Sequence, residues 1–270
     1  MIDLLHTPEA SRRLESIIRP GLLCAFDFDG TLAPIVPQPH LAVLPAELRA
    51  LLVQVSAHAP VAIITGRSID DIHHRLGFDP DFIVGNHGLE GVPGWENTAA
   101  QHAETCQRWK AELEAAFADM GADPGIVIED KRFSLSVHYR QAANPGAAEQ
   151  ALDRLFTRLH PIPRIVWGKM VFNLMPDNAG HKGTALAQLM KVTGASNAIY
   201  VGDDITDEDV FRLRRPDVLS VRIEHSTESA AECYLDKPED MAQLLGVLIE
   251  RMRAAGAANW VQAPAPITAA

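Results

Sequence analysis

Four short stretches carry residues that could do chemistry together: Asp27-Phe28-Asp29-Gly30-Thr31, Thr65-Gly66-Arg67, Lys182, and Gly202-Asp203-Asp204 with Asp207 just beyond. Asp27, Asp29 and Asp203, if gathered in one crevice, would repel one another and raise each other's pKa unless a cation lay between them. A few hard carboxylate oxygens, with room for water and a phosphate, suit Mg²⁺. Calcium wants more ligands, and zinc wants the His or Cys that these stretches lack. With the cation drawing off phosphate charge, a carboxylate can attack phosphorus. Asp27 is the expected nucleophile because it directly follows an apolar run that would hold it rigidly. Asp29, two residues on, is the expected acid and base. It would protonate the leaving alkoxide, then deprotonate the water that hydrolyses an aspartyl-phosphate. Gly30 lets backbone come close, and Thr31 can orient Asp29. Thr65 would donate to a phosphoryl oxygen, while Lys182 would add a cation at a helix N-terminus. Asp203 would complete the metal shell, with Asp204 or Asp207 holding waters on the ion. Each stretch alone has a plainer reading: a turn, a cap, a solvated lysine or an acidic helix start. Their joint occurrence in this order is what points to phosphoryl transfer.

Such convergence needs a scaffold. LLCAFDFDG, VAIITGR and DFIVGNHG are short apolar runs that end in polar residues, as buried parallel strands do. Helical spacing lies between the first two, at 46–57, and Ser68 and Gly77 bracket a helix between the second and third. Strand and helix in alternation predict an α/β, doubly wound parallel sheet of Rossmann type, in which the carboxyl ends of the strands face one crevice. The middle of the chain differs. A helix at 98–120 precedes GIVIEDKRFSLSVHYR, whose second half alternates like an antiparallel strand, and a helix at 145–159 precedes the β-like RIVWGKMVFNLMP. This predicts an inserted smaller α/β domain over 94–176, between core segments 1–93 and 177–270. The first pattern then resumes with HKGTALAQLMKVTG, ended by Gly194, with NAIYVGDDITDEDVFRL, a strand near VLSVRI and a last helix at 238–255. The Pro/Ala-rich tail 261–270 is expected to be disordered.

Composition sets outer limits. The chain has 270 residues, 47% of them hydrophobic and 22% charged, enough to bury a real core. A net charge of -11 disfavours nucleic acid as a partner. A local cation cluster can still reverse the field for one phosphorylated small molecule. Cys24, Cys106 and Cys233 are sparse and odd in number, which argues against a disulfide framework and for a reducing compartment, and Cys24, in the apolar run LLCAF, is expected to be a small buried hydrophobe. The first twenty residues lack the apolar centre of a signal peptide, and no run reaches the ~18–20 residues of a membrane span. The cytoplasm is the expected location, with no membrane partner.

DFDGT, TGR, Lys182 and GDDITDED resemble the four motifs of the haloacid dehalogenase-like (HAD) superfamily, in the branch with an α/β (C2-type) cap. More narrowly, DFDGTLAPI, GNHGLE, EDKRFSLSVHYR and HKGTAL resemble the trehalose-6-phosphate phosphatase family, across roughly 24–211. The resemblance implies a Mg²⁺-dependent hydrolase of trehalose 6-phosphate, with Asp27, Asp29, Thr65 and Lys182 as catalytic residues. It implies metal ligation by Asp27, Asp29, Asp203 and Asp204. Substrate contacts are implied at Gly30, Gly66, Arg67 and His87, and at Glu129, Lys131 and Asn173 in the cap, with a monomer or weak homo-oligomer as the working form. One departure stands out. The family has a glutamate and a basic residue in the strand after the Gly-Lys pair, where GKMVFNLMP places Asn173 and Met175. That leaves open another glycosyl phosphate, such as glucosyl- or mannosyl-3-phosphoglycerate or sucrose 6-phosphate. A regulatory protein without activity would predict a damaged core motif, and every core motif is intact.

Overall fold

The structure, a computed structural model, describes residues 1–121, 123–176 and 180–256. The tail 261–270 and the segment 177–179 lie outside the described residues. In chain order the elements are β1 (Ile2–Asp3), α1 (Pro8–Ile17), β2 (Leu22–Phe26), α2 (Ala46–Ser56), β3 (Val61–Ile64), α3 (Ile69–Leu76) and β4 (Phe82–Val84). Next come α4 (Glu96–Met120), β5 (Val127–Asp130), β6 (Leu135–His138), α5 (Pro145–Phe156), β7 (Arg164–Gly168) and β8 (Val171–Met175). The chain continues through α6 (Lys182–Thr193), β9 (Asn197–Gly202), α7 (Glu208–Phe211), β10 (Val218–Ile223), β11 (Cys233–Leu235) and α8 (Asp240–Ala254). The described residues form two compact units, 1–93 with 180–256, and 94–176.

The first unit is built on a seven-stranded parallel sheet in the order β1-β11-β10-β9-β2-β3-β4. Every residue of β2, β3 and β9 is buried, because a parallel sheet is covered on both faces. From β2 the chain winds outward through β3 and β4, then returns to β9 on the other side of β2 and winds outward through β10 and β11. The winding reverses between β2 and β9, and a crevice opens there at the carboxyl ends of the two strands. This is the doubly wound α/β class expected from the apolar runs. Helix α3 is stopped at both ends by the residues its sequence offers. The Ser68 side chain accepts from Asp71 N–H, and Gly77 takes the left-handed conformation at φ 64°.

The second unit is an antiparallel sheet in the order β5-β6-β8-β7. Its register sets Glu129 opposite Ser136, Ser136 opposite Asn173, and Asn173 opposite Val166. Alternation sends Leu135, Val137, Phe172 and Leu174 into a core with Trp109 and Leu113 of α4 and Leu152 and Phe156 of α5. Ser136, His138, Asn173 and Met175 therefore lie on the face opposite α4 and α5. The helix expected at 145–159 ends at Phe156. Leu159 still joins the core, from a turn. Cys24, Cys106 and Cys233 are buried free thiols, pushed up to about 12 chiefly by burial.

Candidate active site

Asp27 follows the last residue of β2, and its N–H extends the ladder to Val201 O at 2.9 Å. Its side chain is 6% exposed and lies 3.1 Å from Lys182 Nζ. Lys182 opens α6, whose N-terminus is closed by a capping box between His181 and Thr184. The ammonium also donates to Asp207 Oδ1 at 2.8 Å. Burial disfavours the charge on Lys182, yet Asp207 and Asp27 outweigh it and push its pKa up.

Asp207 is the acceptor around which the loop after β9 is wound. Oδ1 takes hydrogen bonds from Lys182 Nζ and from Tyr200 Oη at 2.6 Å. Oδ2 takes them from the N–H groups of Asp203 and Asp204, both at 2.9 Å. Nothing larger than hydrogen fits at Gly202, where a Cβ would lie 2.2 Å from Asp207 Cγ. Gly30 is held to glycine twice over, by φ 83° and by Asp203 Oδ2, which would lie 2.1 Å from a Cβ.

Asp27, Asp203 and Asp207 offer carboxylate oxygens within 4.8 Å of one another. Burial holds Asp27 well above the usual carboxylate range; Lys182 opposes this, while Asp207, Asp204 and Asp203 add to it. Burial, then the charges of Asp207 and Asp204, pushes Asp203 up to about 7. Crowded hard oxygens that resist ionisation without a cation are a donor set fitted to a divalent metal. Of the four carboxylates expected around that metal, Asp27 and Asp203 are gathered, and Asp29 and Asp204 are not. Both Asp29 oxygens are drawn off by Arg67, Oδ2 by Nε and Oδ1 by a terminal nitrogen, each at 2.6 Å. Asp204 Oδ1 accepts from Thr206 N–H and Oγ1, both at 2.7 Å, and caps the turn that leads into α7. Asp207, expected only to hold waters, lies beside them, but its acceptor sites are taken by Lys182, Tyr200 and the N–H groups of Asp203 and Asp204. Thr31 donates to Asp203 Oδ1 at 3.1 Å rather than orienting Asp29.

Thr65 is fully buried just past β3, with its N–H on Val84 O at 2.9 Å. Its Oγ1 accepts from Arg67 N–H at 3.2 Å, which leaves the hydroxyl hydrogen to donate elsewhere. Gly66 lies under the imidazole of His87, whose Cε1 would meet a Cβ at 2.4 Å. His87 and the preceding Asn86 both have positive φ, 58° and 49°. Glu90 braces this turn, its Oε2 accepting from Asn86 Nδ2 and Ile69 N–H at 2.9 Å each. Arg67 serves two carboxylates, reaching Asp71 Oδ2 at 2.6 Å as well as Asp29.

In the second unit Glu129 Oε2 lies 2.8 Å from His138 Nε2. Ser136 Oγ donates to Asn173 Oδ1 at 2.6 Å, and Asn173 Nδ2 donates to Val166 O at 3.3 Å, which fixes the amide. Lys131 lies in the β5–β6 turn, closed by its N–H on Ser134 O at 3.0 Å. Met175 stands where a cation was expected, but the register sets Arg164 opposite it, with one terminal nitrogen 3.9 Å from Sδ. Sequence reasoning missed Arg164, Ser136 and His138 because partners across strands depend on register. Tyr200 was missed because it reads as one more apolar residue of β9.

A family model described as trehalose-phosphatase matches residues 25–239. The trehalose-phosphate phosphatase of Mycobacterium marinum is 31% identical over 270 residues, covering 95% of this chain and 68% of that protein. That of Mycobacterium tuberculosis is 34% identical over 246 residues, covering 85% and 62%. The chain thus spans 62% to 68% of the length of these two curated relatives. Among solved structures, Aspergillus fumigatus trehalose-6-phosphate phosphatase superposes with a TM-score of 0.62 at 26% identity, covering 88% of this chain and 97% of that one. The sucrose-phosphatase of Synechocystis shares the fold at a TM-score of 0.55 and 18% identity, covering 85% and 98%. With the matched residues spanning every motif of the crevice, the chain belongs to the trehalose-phosphatase family.

Proposed function

We propose that this chain is a Mg²⁺-dependent phosphoric monoester hydrolase that converts trehalose 6-phosphate to trehalose and phosphate through an aspartyl-phosphate on Asp27. The observation that carries the reading is the buried Asp27–Lys182 pair beside Asp203 at the point where the sheet reverses its winding. Asp27 and Asp203 would hold Mg²⁺, which when bound draws off phosphoryl charge, while Asp207 beside them holds Lys182 and the loop that presents Asp203. Lys182 and the free hydroxyl hydrogen of Thr65 bind phosphoryl oxygens and position phosphorus for attack. An Asp27 carboxylate oxygen bonds to phosphorus as the bond from phosphorus to the sugar oxygen breaks, and the Asp29 carboxyl gives its proton to that oxygen. Water then bonds to phosphorus, its proton passes to Asp29, the Asp27–phosphorus bond breaks, and phosphate leaves.

Residues 94–176 serve as the cap that recognises the sugar. Glu129, Lys131 and Asn173 supply an acceptor, a donor and a group that does both, as a polyol requires. Among the described residues no helix is long and apolar enough to cross a membrane. Three unpaired thiols fit the reducing cytoplasm, and we place the enzyme there, as a monomer or weak homo-oligomer.

Phosphate release from trehalose 6-phosphate, with Mg²⁺ and after chelation, tests the reading beside a panel of sucrose 6-phosphate and glucosyl- and mannosyl-3-phosphoglycerate. Metal-dependent release with preference for trehalose 6-phosphate is expected. Faster turnover of another member of the panel would favour a second reading, to which the neutral, fixed Asn173 points. No release from any of them overturns both.

A further inference from the structure

Arg67 spends four N–H groups on the protein itself. Two go to the two oxygens of Asp29, one goes to Asp71 at 2.6 Å, and one goes to Pro39 O at 2.8 Å. Its side chain is 11% exposed, and its Cζ lies 5.6 Å from the centroid of the Phe28 ring. Asp71 is held from behind by Arg75, which donates to His40 O at 2.6 Å and Ala42 O at 3.0 Å. A guanidinium so committed has one N–H left, too little for the forked grip that arginine uses on a phosphoryl group. Where the resemblance implies a contact between Arg67 and substrate, the structure sets the fork on Asp29.

Asp29 keeps capacity of its own. An ionised carboxylate has about four acceptor sites, and the fork takes one on each oxygen. The Asp29 side chain is 40% exposed against 11% for Arg67, so the side turned from the arginine is open. We propose that Arg67 is a positioning residue for the second half-reaction, holding the ionised Asp29 carboxylate in the orientation from which it takes a proton from the attacking water. That ionised form exists between the two half-reactions, after Asp29 has given its proton to the sugar oxygen. The guanidinium suits the task twice. Its planar fork fixes the plane of the carboxylate, and it stays protonated, so it does not compete for the water's proton. The inference rests on the function proposed above and names the step that Arg67 governs.

The test is stopped-flow turnover of p-nitrophenyl phosphate with Mg²⁺, because its leaving group departs without a proton and isolates the hydrolysis step. The Arg67→Ala enzyme is expected to release one equivalent of nitrophenolate per site in a burst. It should then turn over roughly a hundredfold more slowly than the parent, within the range of lost acid–base assistance. Phosphoenzyme accumulates on acid quench. Arg67→Lys, a cation without the fork, regains only part of the rate. In an Asp29→Asn background, adding Arg67→Ala slows hydrolysis no further. Where Arg67→Ala fails to fold, Asp71→Asn loosens the arginine while leaving its grip on Asp29, and it gives the same burst with a smaller slowing. Loss of burst and steady rate together would overturn the proposal, as would an equal slowing by Arg67→Ala with and without Asp29. A parent enzyme that forms no phosphoenzyme dependent on Asp27 overturns the underlying reading and this inference with it, and it does so before any substitution is made.

Discussion

Asp207 accepts four hydrogen bonds with no exposed surface, and two of them come from the N–H groups that shape the Asp203-Asp204 turn. It therefore does two jobs, fixing the loop that presents Asp203 and sharing Lys182 with Asp27. Asp207→Asn keeps the volume but turns an NH₂ group toward two of those donors and leaves Lys182 with half its counter-charge. Breaking a buried pair in this way costs about 3–5 kcal/mol. A lowered urea midpoint with unchanged m, together with weak phosphoenzyme formation, is the expected outcome; an unaltered midpoint would show that Asp27 alone satisfies the lysine. Asp27→Asn separates chemistry from folding. Amide for carboxylate removes the proposed nucleophile, so kcat should fall by about four orders of magnitude or more, while the fold persists because Asp207 still pairs with Lys182. Appreciable turnover by that variant rules out the covalent route.

Strand ends govern what these residues can do. At Gly202, the last residue of β9, any side chain would displace Asp207. Gly202→Ala is expected to cost about 1–3 kcal/mol as overpacking and to abolish turnover, with circular dichroism preserved. Full activity in that variant would mean that the loop has another way to hold Lys182. In the second sheet, Arg164 of β7 is set opposite Met175 of β8. If it supplies the cation missing at 175, Arg164→Ala raises KM for trehalose 6-phosphate about tenfold with kcat nearly unchanged, the mark of lost uniform binding. The sequence made β2, β3 and β9 legible because each is an unbroken apolar run that stops at a polar residue, and with them came Asp27, Thr65 and Asp203. It left β1 and β11 hidden, since two and three residues carry no period. It also hid the pairing of Asp29 with Arg67, 38 positions apart, because a side chain's partner depends on packing that spacing does not encode. Ser136 and His138 of β6 fall between those cases. The alternation that buries Leu135 and Val137 puts both on the polar face, but only register sets them beside Asn173 and Glu129.

The chain carries a net charge of -11 and gathers three carboxylates at the heart of its larger unit, so its stability is tied to the cation it would bind. Asp203, ordinarily near 3.8, is pushed up to about 7 by burial and by Asp207 and Asp204. Between those values the folded chain retains a proton that the unfolded chain has released. The native state then binds more protons than the unfolded one, so metal-free stability falls as pH rises through this window. Asp27, also raised, acts in the same direction. Mg²⁺ held by these carboxylates would require the ionised forms, so it would expel the protons and be held more tightly as pH rises toward about 7. It would also stabilise the fold in proportion to the logarithm of its concentration over Kd. In chelator, the melting temperature is therefore expected to be lower near pH 8 than near pH 5.5, and millimolar Mg²⁺ should shrink or reverse that difference. Titration calorimetry in two buffers of unlike ionisation enthalpy should register proton release on Mg²⁺ binding near pH 6 and almost none near pH 8.5. A metal-free melting temperature that climbs steadily across the same interval would mean that these carboxylates are not crowded in solution, and the case for a shared cation would fall with them.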